Sequence, residues 1–413
     1  MKLIISAKKT IHLQTYIFMM DEFGKQVHTE LKNAATRGVN VFLLVDGVGT
    51  RLLDKNSELE LIRSGVHFEK FNQFQIRWLY SWGRRLHHKI LLIDEEYCFT
   101  GGINVLQAQT DFIPQLDFAL LIQGPALVRL TQYCQLIFQR SSAKKIFFAS
   151  PVKSSSTANG VELKFLVNDW VYRRWQITKQ YAHLTKKAKT EITIINSYFF
   201  PRKSFMNQLV AAAKRGVRVR LILPKFSDWP NYILASEFLY AYFLKNGVEI
   251  YLWEKSILHG KIATIDNSWA TIGSFNLNYT SYQQNLEMNV NIYSEDFTLL
   301  LKKEINEIIA NGCERLDPKD FINNCSLKKK SLRLFYYIVL SVIANLSIGL
   351  IFQEDNNSEN KFNNLFRITG SFLFFVLGMI ITMNSLLKGF PFFVISFFIF
   401  YKQINSNKKK ETF

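Results

Sequence analysis

Two stretches of the chain share one pattern: residues 87–104 read HHKILLIDEEYCFTGGIN, and residues 259–276 read HGKIATIDNSWATIGSFN. Each stretch contains HxKxxxxD followed by GxxN, and the spacing of the matched positions is identical in the two stretches. The GxxN motif of the second stretch has serine where the first has a second glycine. The shared positions are His87, Lys89, Asp94 and Asn104, matched by His259, Lys261, Asp266 and Asn276. Because such a pattern rarely recurs by chance, it indicates an internal duplication that carries a chemical site.

The sequence around these stretches is duplicated as well. Residues 34–41 (AATRGVNV) correspond to residues 212–219 (AAKRGVRV), and residues 15–18 (TYIF) resemble residues 197–200 (SYFF). Short apolar runs alternate with helical segments that end at glycine, which predicts an α/β fold with a mostly parallel sheet and helices on both of its faces. We therefore predict two tandem repeats, residues 1–149 and 160–325, joined by a Ser-rich linker at 150–159.

The first repeat is shorter at its start than the second. Residues 162–167 predict a strand and residues 171–187 a helix at the start of the second repeat. In the first repeat only residues 1–9, typical of the end of an amphipathic helix, precede the apolar run at 11–18. We therefore expect an N-terminally shortened first repeat, either from a misassigned start or as a variant with an exposed sheet edge.

The composition limits the partners and the cellular compartment. The 413 residues include 51 Lys and Arg against 33 Asp and Glu, a formal charge of +18, which favours anionic partners such as acidic lipid, phosphate esters or nucleic acid. Collagen, coiled coil and wholesale disorder are excluded because neither a repeat period nor a polar excess supports them. The four cysteines form no CxxC pair, so a disulfide framework is not expected and a reducing compartment fits better.

The C-terminal part of the chain predicts membrane segments. Residues 334–352 and 368–387 are uncharged runs of 19 and 20 residues, long enough to cross a bilayer core of roughly 30 Å, whereas the 13 residues 389–401 suit an interfacial or re-entrant segment. Basic residues flank the pair of spans, and the loop at 353–367 carries three acidic residues. The positive-inside rule therefore predicts a protein of the inner (cell) membrane with its catalytic region in the cytoplasm.

The residue types of the duplicated motif suit a phosphodiester substrate. Side chains two apart in a strand lie on one face, so each histidine stands beside a lysine. If the two repeats face each other, their motifs form one pocket with two imidazoles, two ammonium groups and two amides. Cations and amide N–H groups stabilise charge on phosphate oxygens, while one histidine attacks phosphorus and the other protonates the departing oxygen. We expect no metal and no other cofactor, because the site already supplies cations.

The repeated HxKxxxxD and GxxN motifs resemble the phospholipase D superfamily, and residues 13–18, 46–47, 197–201, 258–261 and 285–287 are similar to bacterial cardiolipin synthases. The resemblance covers residues 5–315 and implies a bilobal catalytic unit with a pseudo-two-fold axis. It implies a covalent phosphohistidine, with His87 as nucleophile and His259 as acid. It further implies that a downstream carboxylate holds each histidine, and Asp117 follows His87 at nearly the spacing at which Glu287 follows His259. In this family the motif residues Asp94 and Asp266 are structural ion-pair partners.

The resemblance implies transfer of a phosphatidyl group between phospholipids, with phosphatidylglycerol as donor and acceptor and cardiolipin as product. Water as acceptor would make the protein a phospholipase D. A phosphodiesterase or nuclease, or a non-catalytic lipid-binding protein, are further alternatives. The two motifs in one chain and the apolar C-terminal runs favour phospholipid substrates and an anionic membrane surface over nucleic acid, whereas the sequence leaves the oligomeric state open.

Two local features admit more than one interpretation. Residues 75–85 (QIRWLYSWGRR) interleave aromatic and basic side chains, which suits either a loop at lipid headgroups or an ordinary packed loop. The segment Asp228-Trp229-Pro230 is similarly ambiguous. His88 would face the other side of its strand from His87, and we interpret it as a structural residue.

Overall fold

The structure, a computed structural model, describes residues 1–72, 84–107, 114–139, 141 and 160–351, with side chains up to residue 344. The helices are α1 (Lys2–Ser6), α2 (Glu22–Thr36), α3 (Lys55–Arg63), α4 (Ala126–Gln139), α5 (Gln176–Lys187), α6 (Lys203–Lys214), α7 (Pro230–Lys245), α8 (Tyr279–Gln283), α9 (Glu295–Gly312), α10 (Pro318–Asn323) and α11 (Leu327–Ile351). The strands are β1 (Thr10–Thr15), β2 (Asn40–Asp46), β3 (His67–Phe71), β4 (Arg85–Leu86), β5 (Ile90–Ile93), β6 (Tyr97–Gly101), β7 (Gln115–Leu116), β8 (Ala119–Gln123), β9 (Glu162–Asp169), β10 (Arg174–Trp175), β11 (Glu191–Asn196), β12 (Arg218–Pro224), β13 (Glu249–Trp253), β14 (Ile257–Leu258), β15 (Lys261–Ile265), β16 (Trp269–Gly273), β17 (Asn285–Tyr293) and β18 (Cys313–Arg315).

The chain folds as two sheets of the same topology, one for each predicted repeat. The first sheet has the order β3-β2-β1-β5-β6-β8, and the second has the order β13-β12-β11-β15-β16-β17 over the same part of its path. The second sheet is larger, because β9 pairs with β17, β10 pairs with β9 and β18 pairs with β13. Both sheets lie in one compact unit, Met1–Tyr337, and a second unit comprises Ile338–Phe413. The predicted α/β fold class is thus confirmed.

The prediction of mostly parallel sheets is wrong. Along the main path of each sheet, as far as the described residues go, the parallel pairs are β1–β2 and β2–β3 in the first sheet and β11–β12 and β12–β13 in the second. The remaining pairs along both sheets are antiparallel, including β5–β6 and β15–β16. The reason is the short connection within each motif: three residues link β5 to β6, and so few can only join antiparallel strands, whereas a parallel pair needs a crossover of a dozen residues or more.

Helices cover both faces of the first sheet, as predicted. One face packs Ile11, Val41 and Leu43 into a core with residues of α1, α2 and α3. The opposite face belongs to a second core, which combines residues of both sheets with residues of α4 and α9. Members of that second core include Ile90, Leu92, Leu127, Leu130, Ile262, Ile272, Val290, Leu301 and Ile305. Because one apolar core joins the two sheets, they form a single folded unit.

The elements that precede the first central strand differ between the two sheets. Residues 2–6 form the short helix α1, whereas the second repeat begins with strand β9 and the 12-residue helix α5. Within the residues that the structure describes, β8 pairs only with β6, whereas its counterpart β17 pairs with both β16 and β9. Strand β8 is therefore an edge strand of the described first sheet.

The predicted membrane segments fall largely beyond the described part of the chain. Residues 334–351 of the run at 334–352 lie in α11, whereas the runs at 368–387 and 389–401, like the linker at 150–159, lie outside the described residues. Among the described residues, no helix combines the length and apolarity needed to cross a bilayer.

Candidate active site

Short strands exchanged between the repeats position the two motif histidines. Strand β4, which ends just before His87, pairs in parallel with the first residues of β17 in the second repeat. Strand β14, which ends just before His259, pairs in parallel with β7 of the first repeat. The backbone N–H of His87 donates to the carbonyl of Leu286 at 2.9 Å, and that of His259 donates to the carbonyl of Leu116 at 2.8 Å. Each histidine is therefore fixed by backbone of the opposite repeat.

Each histidine also contacts a carboxylate of the opposite repeat, which we call the crossed arrangement. Nδ1 of His87 lies 2.8 Å from Oε2 of Glu287, and Nδ1 of His259 lies 2.6 Å from Oδ2 of Asp117. The two residues that the resemblance indicated do contact the histidines, but the pairing within one repeat is wrong. The strand exchange explains the crossing, because Glu287 follows the segment that pairs with β4 and Asp117 follows β7.

Glu287 is held in a fully buried hydrogen-bond network. Its side chain is inaccessible to solvent, and it accepts hydrogen bonds from Ser281 Oγ at 2.6 Å, from Asn285 Nδ2 at 2.9 Å and from Ser274 Oγ. Burial alone would raise the pKa of Glu287, yet the adjacent His87 and the hydrogen bonds lower it overall. The carboxylate is therefore ionised and fixed against the ring of His87.

Asp117 is held by a backbone hydrogen bond and by close steric contact with Gly102. It accepts a hydrogen bond from the backbone N–H of Phe118 at 2.8 Å, and a Cβ added at Gly102 would lie 2.1 Å from its Oδ1. Gly102 therefore has to be glycine for steric reasons, while its counterpart Ser274 donates to Glu287 instead. Burial opposes ionisation, but His259 and Lys261 lower the pKa of Asp117 overall.

The two motif lysines stand beside their histidines. Lys89 Nζ donates to the backbone carbonyl of His87 at 2.5 Å, and Lys261 Nζ donates to that of His259. Burial lowers the pKa of Lys89 to about 7 and that of Lys261 to about 8. In Lys89 the ammonium of Lys261 lowers the pKa further, and a nearby carboxylate, Glu287, opposes both effects. The site therefore concentrates positive charge in a poorly solvated place, which suits an anionic ligand.

Burial lowers the pKa of both motif imidazoles in the ligand-free protein. Burial, followed by the charge of Lys261, lowers the pKa of His259 to about 4. Burial also lowers the pKa of His87, and both Lys89 and Lys261 contribute to that decrease. Since each imidazole responds to the lysine of the opposite repeat, the two histidine–lysine pairs share one electrostatic environment.

The motif asparagines are oriented by their side-chain oxygens. Asn104 Oδ1 accepts a hydrogen bond from the backbone N–H of Ile17 at 3.2 Å, and Asn276 Oδ1 accepts one from Ser197 Oγ at 2.9 Å. The NH₂ half of each amide, which is the half that can donate to phosphate oxygen, thereby points away from these protein donors.

The motif aspartates do not join the cluster, which corrects their place in the predicted catalytic set. Asp94 accepts hydrogen bonds from the backbone N–H groups of residues 8–10, and Asp266 accepts them from those of residues 189–191. Thr190 Oγ1 also donates to Asp266 at 2.9 Å, and neither aspartate forms the expected ion pair with any described residue. Strand β5 separates Asp94 from Lys89 by five residues, or about 16 Å. Through these hydrogen bonds both aspartates hold the start of a central strand against the end of its neighbour, so their role is structural.

Sequence reasoning missed two tyrosines that touch the histidines. The ring of Tyr16 packs edge-on against His87 with 5.2 Å between centroids, and that of Tyr198 packs against His259 with 6.4 Å. Tyr198 also donates to the carboxylate of Asp228 at 2.6 Å. The signal was present, because both tyrosines stand at matched positions of the repeated segments 15–18 and 197–200.

Asp46 is a further buried residue that supports the site. It accepts hydrogen bonds from the backbone N–H groups of Val48, Gly49 and Leu86, the last at 2.8 Å, and it pairs with Arg85. Asp46 thus fixes the two residues that precede the first motif histidine. A buried aspartate directly before glycine at a strand end could have indicated this role.

The structure describes His88. It is buried, and its Nε2 lies 2.7 Å from Gln14 Oε1, in accord with a structural role.

Residues 75–83 of the predicted aromatic and basic loop lie outside the described residues. Arg84, at its end, forms an ion pair with Asp169 at 2.6 Å and does not project to solvent. Trp229 is 66% exposed just before α7, beside the Asp228 that holds Tyr198.

Anion binding to this site should take up protons. A phosphate-like anion stabilises charged lysine and histidine, so it raises their pKa values, and Lys89, with a pKa of about 7, is the group most responsive near pH 7.5. We expect isothermal titration with inorganic sulfate at pH 7.5 to show uptake of up to about one proton per site, obtained by comparing buffers of different ionisation enthalpy. The affinity should decrease as the pH rises from 7 to 9, because Lys89 and then Lys261 lose their protons.

The matched variant is Lys89→Gln, which keeps a polar side chain but cannot titrate. It should bind sulfate more weakly and with less proton uptake at pH 7.5. Sulfate binding without proton uptake in the wild type, or with an affinity that does not change between pH 7 and 9, would contradict this electrostatic description.

Comparisons with known proteins agree with this geometry. The family described as "Cardiolipin synthase, PLD-like domain" matches residues 1–141 and 181–309. The chain is 34% identical over 325 residues to cardiolipin synthase B of Escherichia coli (strain K12), covering 76% of this chain and 78% of that protein. It is 30% identical over 330 residues to a cardiolipin synthase of Geobacillus thermodenitrificans, covering 76% of this chain and 64% of that protein.

A solved structure supports the same fold. The crystal structure of phosphatidylserine synthase from Haemophilus influenzae matches with a TM-score of 0.64 and 14% identity, covering 85% of this chain and 92% of that chain. At that identity the match supports the fold alone. Membership of the family rests on the family match and on the sequence relatives. The chain belongs to the family of cardiolipin synthases with a phospholipase D-like domain.

Proposed function

We propose that this protein is a phosphatidyltransferase of the cardiolipin synthase type, which uses phosphatidylglycerol as both donor and acceptor. The two repeats, residues 1–149 and 160–325, each contribute one histidine, one lysine and one asparagine to the reaction. The observation that carries the proposal is the crossed arrangement, in which the imidazoles of His87 and His259 are each held at Nδ1 by a buried carboxylate of the opposite repeat. Only the Nε2 atoms are then available for chemistry, one for attack and one for proton transfer.

In the first half-reaction, Nε2 of His87 attacks the phosphorus of phosphatidylglycerol. The bond between phosphorus and the oxygen of the glycerol headgroup breaks, and protonated His259 supplies the proton that releases free glycerol. The phosphatidyl group is then bound to His87 through a P–N bond. Glu287 stabilises the positive charge that develops on the His87 ring, and Lys89 and Lys261 stabilise the oxygens of phosphorus.

In the second half-reaction the roles of acid and base are reversed. His259, now neutral, accepts the proton of a hydroxyl group on a second phosphatidylglycerol, whose oxygen attacks phosphorus and displaces His87. Two molecules of phosphatidylglycerol thus give one cardiolipin and one glycerol. The pKa of His259, about 4 in the ligand-free protein, has to rise when the anionic substrate binds, so that it can act as an acid in the first step.

The direct test is the product profile of the purified full-length protein in detergent micelles that contain phosphatidylglycerol. We expect cardiolipin and glycerol in equal amounts, measured by mass spectrometry of the lipid extract and by enzymatic assay of glycerol. Phosphatidic acid as the main product would contradict the transferase and indicate hydrolysis. Cleavage of single-stranded DNA without any lipid product would indicate a nuclease.

We also propose that residues 334–352 and 368–387 anchor the protein in the inner (cell) membrane, with the catalytic unit on the cytoplasmic side. Support comes from their 19 and 20 consecutive uncharged residues and from the basic residues on the outer flanks of the pair. Green fluorescent protein fused after residue 413 should fluoresce, whereas alkaline phosphatase fused there should be inactive. An active phosphatase fusion would mean that the number of crossings is odd.

A further inference from the structure

The loop between β12 and α7 places a carboxylate beside the second motif histidine. The ring of Tyr198 packs against His259 with 6.4 Å between centroids, and its hydroxyl lies 2.6 Å and 2.8 Å from the two carboxylate oxygens of Asp228. Ser227 Oγ donates to the same carboxylate at 2.9 Å and accepts a hydrogen bond from the backbone N–H of Trp229. Asp228 is therefore held in a fixed orientation next to the site.

This carboxylate has capacity for a further ligand. Asp228 is exposed, and none of the lysines and arginines that the structure describes forms an ion pair with it. A carboxylate accepts up to about four hydrogen bonds, and the hydroxyl groups of Tyr198 and Ser227 supply only two donors. Its charge reaches the site, because burial lowers the pKa of Lys261 and nearby carboxylates, Asp228 among them, oppose that decrease. A hydrogen-bond donor bound in the site can therefore use this carboxylate.

The charges around the matching tyrosine of the first repeat are arranged differently. Asp46, at the end of β2, is inaccessible to solvent and is already bonded to three backbone N–H groups and to Arg85. Burial and the charge of Asp46 raise the pKa of Tyr16, whereas the guanidinium groups of Arg85 and Arg51 oppose that rise. The site is therefore asymmetric, since the tyrosine beside His259 contacts an exposed carboxylate, whereas the carboxylate near Tyr16 is buried and paired.

The proposed mechanism brings the alcohol part of the substrate to the side of the exposed carboxylate. In a displacement at phosphorus the attacking and leaving atoms lie on opposite sides, so attack by His87 puts the headgroup oxygen beside His259. The glycerol that leaves and the glycerol that attacks share one feature, which is a hydroxyl group on the carbon next to the reacting oxygen. A hydroxyl group is neutral and donates to a carboxylate, whereas a phosphate at this position would be repelled by Asp228.

We propose that Asp228, oriented by Tyr198, accepts a hydrogen bond from this neighbouring hydroxyl group and thereby selects vicinal diols, such as the glycerol headgroup, over simple alcohols. The inference rests on the proposed function and adds to it a residue that determines the specificity for the alcohol. An amino alcohol also carries a donor, but its ammonium group adds a third positive charge to those of Lys89 and Lys261, which disfavours it. A hydrogen bond to a charged group corresponds to roughly a tenfold preference.

The test is a competition between soluble alcohols for the phosphatidyl group on the enzyme. The purified full-length protein is given micelles of phosphatidylglycerol with 1-propanol, 1,2-propanediol and ethanolamine in equal amounts. In each transfer the P–N bond to His87 breaks, a P–O bond to the alcohol forms, and the proton of the alcohol passes to His259. Mass spectrometry of one lipid extract gives the ratio of the phosphatidyl esters, which does not depend on the fraction of active enzyme. We expect Asp228→Ala to lower the ratio of phosphatidylpropanediol to phosphatidylpropanol about tenfold relative to the wild type.

Two further variants accompany this change. Asp296→Ala, at an exposed aspartate in the first turn of α9, is the matched control and should keep the wild-type ratio. Tyr198→Phe keeps the ring beside His259 but loses the hydroxyl group that orients Asp228, so it should lower the ratio in the same direction.

An unchanged ratio in Asp228→Ala, or an equal loss of both esters in the folded variant, would overturn the inference. Phosphatidylethanolamine as the main ester made by the wild type would overturn it as well, because the site would then select an ammonium group. Absence of cardiolipin and of every phosphatidyl ester from the wild type would instead contradict the proposed function itself.

Discussion

Replacement of His87 by alanine should lower kcat/KM for cardiolipin formation by about 10⁴-fold or more, and His259→Ala should have an effect of the same order. In the proposed mechanism both imidazoles take part in every cycle, one as nucleophile and one as acid and then base. The two variants remove side chains that are about 13–15% exposed at the bottom of the site, so the fold should persist. Far-ultraviolet circular dichroism and thermal unfolding would verify this, with His183→Ala on the exposed surface of α5 as the matched control.

The two histidines can be distinguished with a substrate that needs no acid. A phosphatidyl ester of p-nitrophenol releases its leaving group without protonation, so His259→Ala should still produce a burst of p-nitrophenol and accumulate a phosphatidyl group on His87. His87→Ala should give no burst. Mass spectrometry of peptides kept at alkaline pH, where P–N bonds persist, would locate the adduct. An adduct on His259 would reverse the two roles, and two variants that each retain most of their activity would contradict the shared site.

The sequence is sufficient to predict the duplicated fold and the content of the site because those features are local. The spacing of His87 and Lys89 predicts both side chains on one side of a strand, and in the structure the charge of each motif lysine lowers the pKa of the histidine in the opposite repeat. The glycine after Arg37 ends a helix as expected, with Gly38 at a φ of +88°. The direction of the motif strands was predicted wrongly. The alternation of apolar runs and helical segments at the start of each repeat indicates parallel strands, and it does not show that the motif strands are antiparallel.

The pairing across the repeats could not be predicted from spacing. Asp117 follows His87 at nearly the same interval as Glu287 follows His259, so pairing within a repeat and pairing between repeats fit a duplicated sequence equally well. Only the strand exchange β4–β17 and β7–β14 decides between them, and it depends on contacts between segments that are far apart along the chain.

The positions of the two motif aspartates illustrate a related limit. A motif groups residues by their order along the chain, and Asp94 lies in the same HxKxxxxD pattern as His87. A strand, however, carries the chain about 3.3 Å per residue, so the two ends of that pattern are separated by more than the width of a catalytic site. Recurrence of Asp94 and Asp266 therefore reflects a repeated structural requirement, which is to fix the start of β1 and of β11.

Glu287→Gln and Asp117→Asn should each slow cardiolipin formation by about 10²–10⁴-fold, but through different histidines. Since Glu287 contacts His87, Glu287→Gln removes the charge that supports the nucleophile and should reduce the p-nitrophenol burst rate. Since Asp117 contacts His259, Asp117→Asn should leave that burst nearly unchanged and slow only cardiolipin formation, which needs His259 as acid and base. Both changes keep the size of the side chain, and Gln at 287 can still bond Ser281 and Asn285, so thermal unfolding should reveal a smaller defect than the kinetics.

The crossed arrangement also predicts which double variants are non-additive. Glu287→Gln should have little further effect in the His87→Ala background, because a partner that acts through His87 has no task once that ring is absent. Asp117→Asn should likewise have little further effect on cardiolipin formation in the His259→Ala background. In the His87→Ala background, by contrast, His259 is still present for Asp117 to act on. The opposite outcome, with Asp117→Asn eliminating the burst and Glu287→Gln sparing it, would mean that each carboxylate serves the histidine of its own repeat and would contradict the strand exchange on which the site is built.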